Sequence, residues 1–263
     1  MGHCDSLRNA VRIELIRMWR NPTDDLAVLV GNGVLMTVLW FTLPRTWFFT
    51  FTGPSGYALA LAGWMYADVT ATNILGADRH RILALLDDPG ALRTVIRAKE
   101  IALWLIVAPL CSIVAIACGF VEHDWRYTVL VVAAVTIVPI GALAITGLVG
   151  VMFPYHQLPL LWRWKERRRF GPVIFRWMVL VLIPYLLYPL AAAAIYTIPI
   201  AIAWLVHDTD PTERIPTGVF GLCLLLSTAI SVACWWWANR FALNWIERHR
   251  VALHDYLSDL ERG

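Results

Sequence analysis

Residues 101–120, IALWLIVAPLCSIVAIACGF, form a stretch without a single charged side chain. An α-helix rises 1.5 Å per residue, so about 20 apolar residues are enough to cross the hydrocarbon core of a bilayer. Inside that core the backbone must satisfy its own hydrogen bonds, and a helix does so within one segment. The stretch therefore predicts a transmembrane helix.

The composition of the whole chain agrees with this prediction. Of its 263 residues, 59% are hydrophobic and 16% are charged, whereas soluble domains carry about 25% charged residues. Six spans are predicted, at about Leu26–Leu43, Tyr57–Leu75, Ile101–Phe120, Thr128–Met152, Trp177–Val206 and Thr217–Trp237. We therefore expect an all-α integral membrane protein with one membrane domain: a surface helix over residues 1–24, a six-helix region over 25–238 and a tail over 239–263.

The distribution of positive charge predicts the orientation. Most of the 22 Lys and Arg residues lie in the N-terminal segment, in residues 76–100 and 153–176, and in the C-terminal tail. Only Arg45, Arg126 and Arg214 lie in the remaining loops. The positive-inside rule then places both termini in the cytoplasm, together with the two longer loops.

The segment before the first span, SLRNAVRIELIRMWRNP (residues 6–22), is amphipathic. Leu7, Val11, Leu15 and Met18 share one helical face, with arginines around the rest. This pattern predicts a helix that lies on the inner leaflet. The alternative is a positively charged flank that is merely helical.

The fifth apolar region is too long for one perpendicular span and contains Pro184, Pro189 and Pro199. Proline removes a backbone donor and tends to kink or break a helix. One tilted, kinked helix is one interpretation. The other is a span to about Ala194 that is followed by a short re-entrant helix.

The first cytoplasmic loop is NILGADRHRILALLDDPGALRTVIRAKEIA, residues 73–102. It predicts a short helix from Asp78 to Leu86, with Ile82, Leu85 and Leu86 on one side. A short helix that protrudes from a membrane more often docks a partner than carries out catalysis. The alternative is a plain connecting loop.

Polar residues at the inner end of the second span form another candidate site. Asp68 is the one acidic residue well inside a predicted span, and Thr72 and Asn73 lie close to it in sequence. Because an ionisable group is costly in a bilayer, these residues could line a translocation path or a dimer interface. A carboxylate that snorkels to the cytoplasmic surface is the alternative, and proton coupling is disfavoured because no second buried carboxylate is evident.

A basic cluster in the second cytoplasmic loop consists of Arg163, Lys165, Arg167, Arg168 and Arg169. It could bind anionic lipid headgroups or a partner protein. The simpler interpretation is a positive-inside anchor beside interfacial tryptophans. So short a basic run next to a membrane does not indicate nucleic-acid binding.

The order of these features resembles the membrane subunit of ABC-2 type transporters of bacteria. The resemblance covers nearly the whole chain and is carried by Gly76, Asp78, Arg79, the Leu85–Leu86 pair, Pro89, Lys99 and the Phe153–Pro154 pair at the end of the fourth span. It implies a permease in the bacterial plasma membrane that forms a dimer, with itself or with a related subunit, and exports an amphipathic cargo.

The resemblance also implies a partner. In that family the helix after the second span couples to a separate ATP-binding subunit, so Asp78, Arg79, Ile82, Leu85 and Leu86 would make that contact. This chain has no GxxxxGK[ST] phosphate loop, so ATP and Mg²⁺ would be held by the partner. No catalytic residue, metal site or cofactor is predicted here. A membrane-embedded enzyme acting on a lipid and a secondary transporter are the alternatives.

Overall fold

The computed structural model describes residues 3–20, 26–43, 53–67, 73–156, 171–207 and 217–259. Every regular element in these ranges is an α-helix. In chain order the helices are α1 (His3–Arg20), α2 (Leu26–Thr42), α3 (Pro54–Tyr66), α4 (Arg79–Leu85), α5 (Pro89–Glu122), α6 (Trp125–Thr136), α7 (Val138–Met152), α8 (Gly171–His207), α9 (Thr217–Arg248) and α10 (Arg250–Ser258).

Four helical segments among the described residues are long and apolar enough to cross a membrane: Pro89–Glu122, Trp125–Met152, Met178–Ile202 and Gly218–Arg248. The prediction of an all-helical chain compatible with a multi-pass membrane protein is thereby confirmed. Helix α2 is apolar but has 17 residues, and α3 has 13, which is about 20 Å at 1.5 Å per residue. The total of six spans therefore stays a prediction.

Several helices extend beyond the predicted spans. Helix α5 begins at Pro89, because Asp88 caps it: one carboxylate oxygen accepts hydrogen bonds from the N–H groups of Gly90 and Ala91, both at 3.0 Å. A proline at the first helical position suits such a start. The predicted limit at Ile101 marks the start of the apolar run, whereas the helix itself starts 12 residues earlier, at Pro89.

The fifth apolar region forms one helix. Helix α8 continues through Pro184, Pro189 and Pro199 to His207, so the alternative of a separate re-entrant helix after about Ala194 is corrected. Neighbouring helices satisfy or cover the backbone around a proline in such settings. Here Pro184 and Pro199 are buried, and the thiol of Cys223 on α9 donates to the carbonyl of Pro199 at 3.7 Å.

Helices α6 and α7 meet at a break next to Pro139, and a side chain from α9 fills it. The hydroxyl of Ser231 donates to the carbonyl of Ile137 at 2.7 Å and accepts the N–H of Gly141 at 2.9 Å. It thus stands in for the i→i−4 bond between those two residues. Gly141 is needed because a Cβ there would lie 2.6 Å from the Ser231 carbonyl oxygen.

Helix α1 turns the face that we predicted for the membrane towards the protein. Met18 is buried and Leu7, Val11 and Leu15 are half-buried, and α1 packs along α5. The protein therefore covers part of this face, and the position of α1 on the inner leaflet stays a prediction. The same side carries Glu14, which pairs with Arg81 of the loop helix α4, as described below.

Buried side chains form two clusters. The first fills the space between α2, α3, α5, α6, α7 and α8. The second lies where α4, the start of α5, the end of α7, the end of α9 and α10 meet. It contains Ile74, Leu75, Ile82, Leu86, Leu92, Val95, Ile96, Ala144, Leu148, Val151, Ala238, Ala242, Leu243, Ile246, Leu253 and Leu257. The second cluster fixes the position of the short loop helix α4 through Ile82.

Candidate functional site

The predicted loop helix exists as α4, and it rests on the second buried cluster. Ile82 is fully buried and Leu86 is 4% exposed, with Leu253 and Leu257 of α10 in the same cluster. Ile82 within α4 and Leu86 directly after it therefore support the helix from beneath. On its outward side His80 and Ala84 are exposed, whereas Leu83 and Leu85 are half-buried and pack against the second buried cluster.

An ion cluster fixes the start of α4. Asp78, the residue before the helix, pairs with Arg17 of α1, with Arg81 at 3.6 Å and with Lys99 of α5 at 3.5 Å. Lys99 is 8% exposed in its side chain and also donates to the carbonyl of Ile74 at 3.1 Å. One carboxylate thus meets cations from three helices.

A second carboxylate completes this cluster. Glu14 is 1% exposed, pairs with Arg81, and lies 3.4 Å from Nε of Arg17. We refer to Glu14, Arg17, Asp78, Arg81 and Lys99 as the ion cluster. Because buried charges attract strongly in a low-dielectric interior and are costly when unpaired, the cluster ties α1, α4 and α5 together. The sequence analysis missed the role of Glu14, although an acid placed between Arg12 and Arg17 was a signal of it.

Asn73 joins the first loop to the segment after α7. It is 1% exposed, its amide donates to the Tyr155 carbonyl at 2.7 Å, and its Oδ1 accepts the Tyr155 N–H at 3.2 Å. Gly76 lies against the same carbonyl, since a Cβ there would be 1.9 Å from its oxygen. We call this contact between Asn73, Gly76 and Tyr155 the loop clamp.

Two of the three residues predicted for a path or interface, Asp68 and Thr72, lie outside the described residues. So do the predicted lipid-binding residues of the second loop: Arg163, Lys165, Arg167, Arg168 and Arg169. Of the coupling residues, Arg79 is half-buried and acts electrostatically on His156. The suggested roles of all these residues stay predictions.

His156 anchors the C-terminal helix α10. Its Nε2 donates to the carbonyls of Tyr256 at 3.1 Å and Asp259 at 3.0 Å, and its ring stacks on Tyr256 with 5.0 Å between centroids. Burial lowers the pKa of His156, and the nearby Arg79 lowers it further. The two carbonyl acceptors and the Asp259 carboxylate offset part of this effect.

This anchor is expected to make stability pH-dependent. The unfolded chain binds a proton at His156 below about pH 6.5, whereas the folded chain does so only at lower pH, so stability contributed by the neutral ring is lost as pH falls. The thermal midpoint in detergent should therefore drop between about pH 7.5 and 5.5, and His156→Gln should reduce that drop. An equal drop in both proteins would contradict this assignment.

A buried carboxylate escaped the sequence analysis. Glu100 is 7% exposed and accepts hydrogen bonds from Trp235 Nε1 at 2.9 Å and Asn239 Nδ2 at 3.2 Å. The guanidinium of Arg97 lies 4.9 Å from the centre of the Trp235 ring. In the sequence Glu100 stands between Lys99 and the third apolar run and therefore looks like part of a charged flank. Only its hydrogen bonds with Trp235 and Asn239 of α9 show that Glu100 is a buried residue and not part of a charged flank.

Within the described ranges, no group of three or more His, Cys, Asp and Glu side chains is arranged to hold a metal ion. The candidate site consists of a short helix with an exposed outer face, joined by the ion cluster and the loop clamp to long apolar helices. Comparison with protein-family models, with curated proteins and with solved structures finds no match to this chain.

Proposed function

We propose that the chain is the transmembrane permease subunit of an ATP-driven exporter of the ABC-2 type, with six spans and both termini in the cytoplasm of a bacterium. Two permease subunits would enclose the pathway, and a separate ATP-binding subunit would hold ATP and Mg²⁺. The observation that carries the proposal is α4. It is a short helix at the end of the apolar helices, held rigidly from below and exposed on its outer side.

The connections of α4 suit the transmission of force. A partner that moves α4 would move α1 and α5 through the ion cluster, and residues after α7 through the loop clamp. Packed interfaces with discrete arrangements convert small shifts into rigid-body changes of whole helices. A plain connecting loop would need neither five paired charges nor a two-point amide contact.

The structure changes which residues of α4 suit the partner contact. Leu86 is buried within this chain, so a charge placed there would disturb folding before it reported on a partner. His80 and Ala84 are exposed, and Leu83 and Leu85 flank them. We therefore propose this outer face, with Asp78 and Arg79 at its start, as the contact with the ATP-binding subunit.

The test is co-purification of ATPase activity with the tagged chain from native membranes in mild detergent. We expect vanadate-sensitive ATP hydrolysis with the wild type and a loss of about tenfold in Ala84→Arg, the factor for about 1.4 kcal/mol of lost binding. Ala252→Arg, a matched change at an exposed alanine on α10, should retain the activity. Both variants should keep the wild-type thermal midpoint. Wild-type protein that purifies without ATPase activity would contradict the proposal.

Glu100 supports a second candidate, an ion-coupled secondary transporter. A carboxylate buried between apolar helices usually marks an ion or proton pathway. Its hydrogen-bond partners here are two neutral N–H groups. In this case transport would stop when the ion gradient is dissipated by an ionophore and would not depend on ATP. Glu100→Gln would abolish that transport, whereas an ATP-driven exporter would tolerate the loss of the charge.

A further inference from the structure

Helix α1 has an outward face whose composition is unusual for a surface in water. Ile13, Ile16 and Trp19 are 54%, 40% and 71% exposed. They follow one another at a spacing of three residues, so they lie along one side of the helix. The opposite side holds Ala10, Glu14 and Met18, which are buried. The three large apolar groups are therefore left uncovered by the rest of the described chain.

Positive charge is interleaved with these apolar groups. Arg8, Arg12 and Arg20 are exposed, and Arg12 and Arg20 lie one helical turn before and after Ile16. Arg17, by contrast, points inward to Glu14 and Asp78. Glu14 and Asp78 are both engaged in the ion cluster, and among the described side chains the outward face carries only cationic charge.

A membrane surface accommodates both the exposed apolar side chains and the arginines of α1. Isoleucine and tryptophan side chains gain free energy by entering the boundary between headgroups and acyl chains. Guanidinium groups at the same depth form charge-assisted hydrogen bonds with phosphate oxygens. A bilayer that carries net negative charge adds an attraction to each arginine near its surface. The charge complementarity favours a lipid surface over an uncharged protein surface.

We propose that the outward face of α1 binds anionic phospholipid headgroups and holds the chain at the membrane surface through Arg12, Ile16 and Arg20. This is the face opposite to the one that the sequence pattern suggested. The proposal concerns the lipid contact of α1, and it holds for a transporter of either kind or for an enzyme.

The test uses the full chain in nanodiscs, with its five cysteines replaced by alanine or serine and a fluorophore attached to Ile16→Cys. Quenching is measured with spin-labelled phosphatidylglycerol and, separately, with spin-labelled phosphatidylcholine at the same fraction of the lipid. The ratio of the two reports the local preference for the anionic lipid. We expect a ratio of about fivefold or more, which corresponds to the attraction of a single arginine near a charged surface.

Charge variants test whether Arg12 and Arg20 cause the preference for the anionic lipid. Arg12→Gln/Arg20→Gln should bring the ratio close to one, and Arg12→Lys/Arg20→Lys should restore most of it. The matched control Arg93→Gln/Arg248→Gln removes two exposed arginines elsewhere and should leave the ratio unchanged. Equal quenching by both lipids in the wild type would overturn the anionic preference. Absence of quenching by either lipid would overturn the membrane contact and indicate that a protein covers this face.

Discussion

Replacing Gly76 by alanine is expected to lower the free energy of unfolding by about 3 kcal/mol, the upper range for overpacking of a tightly packed site. The added methyl group would lie 1.9 Å from the carbonyl oxygen of Tyr155 and 2.6 Å from Oδ1 of Asn73. A backbone carbonyl cannot swing aside as a flexible side chain can. The loop clamp must therefore open, and both of its hydrogen bonds are weakened.

The measurement is thermal or denaturant unfolding in detergent micelles. Gly63→Ala in α3 is the matched control, because a Cβ at Gly63 meets nothing within 4 Å. A glycine-to-alanine change inside a helix should be neutral or stabilising by roughly 0.5–1 kcal/mol. If Gly76→Ala were as stable as Gly63→Ala, the close approach between the two loops would not exist in the protein.

Replacing Asp78 by asparagine is expected to cost about 3 kcal/mol, the lower range for breaking a buried ion pair. The substitution removes the carboxylate that Arg17, Arg81 and Lys99 share. Glu14 alone would then face three cations. The ammonium group of Lys99 suffers most, because its side chain is 8% exposed and water cannot replace the lost partner. Unfolding in detergent micelles measures this effect as well.

A double-mutant cycle separates this electrostatic effect from a general disturbance. If Asp78→Asn destabilises by leaving Lys99 unpaired, adding Lys99→Met should recover part of the loss, since the apolar side chain carries no buried charge. Asp87→Asn is the control. Its pair with Arg250 is exposed, at 83% for Asp87 and 53% for Arg250, so its loss should cost less than about 1 kcal/mol. Strictly additive losses in the cycle would contradict a direct pair between Asp78 and Lys99.

Much of the architecture could be predicted because its causes are local in sequence. Uncharged runs such as residues 101–120 must be helical wherever they are buried in lipid. The cap at Asp88 and the proline at position 89 start a helix through contacts within three residues. The short helix after Asp78 was predictable for the same reason: its apolar side chains recur with helical spacing.

The faces of α1 and the partners inside the site were not predictable in this way. Both sides of α1 carry apolar residues, and hydrophobicity alone could not decide which side packs against the protein. That choice depends on Glu14, whose partner Arg81 lies 67 positions away. The environment of Pro199 on α8 likewise involves a distant residue, since its carbonyl accepts the thiol of Cys223 on α9, 24 positions away.

Local sequence patterns were enough to predict the helical class, the approximate places of the apolar segments, the clustering of positive charge and the short helix between Asp78 and Leu86. Contacts between distant residues were visible only after folding: Asn73 bonds to Tyr155 across 82 positions, and Glu100 accepts a hydrogen bond from Asn239 across 139. The burial of Ile82 and Leu86 in the second cluster belongs to the same group. The physical reason is that a hydrogen bond or ion pair is set by distance and direction in space. Hydropathy and helical periodicity, by contrast, are properties of neighbouring residues.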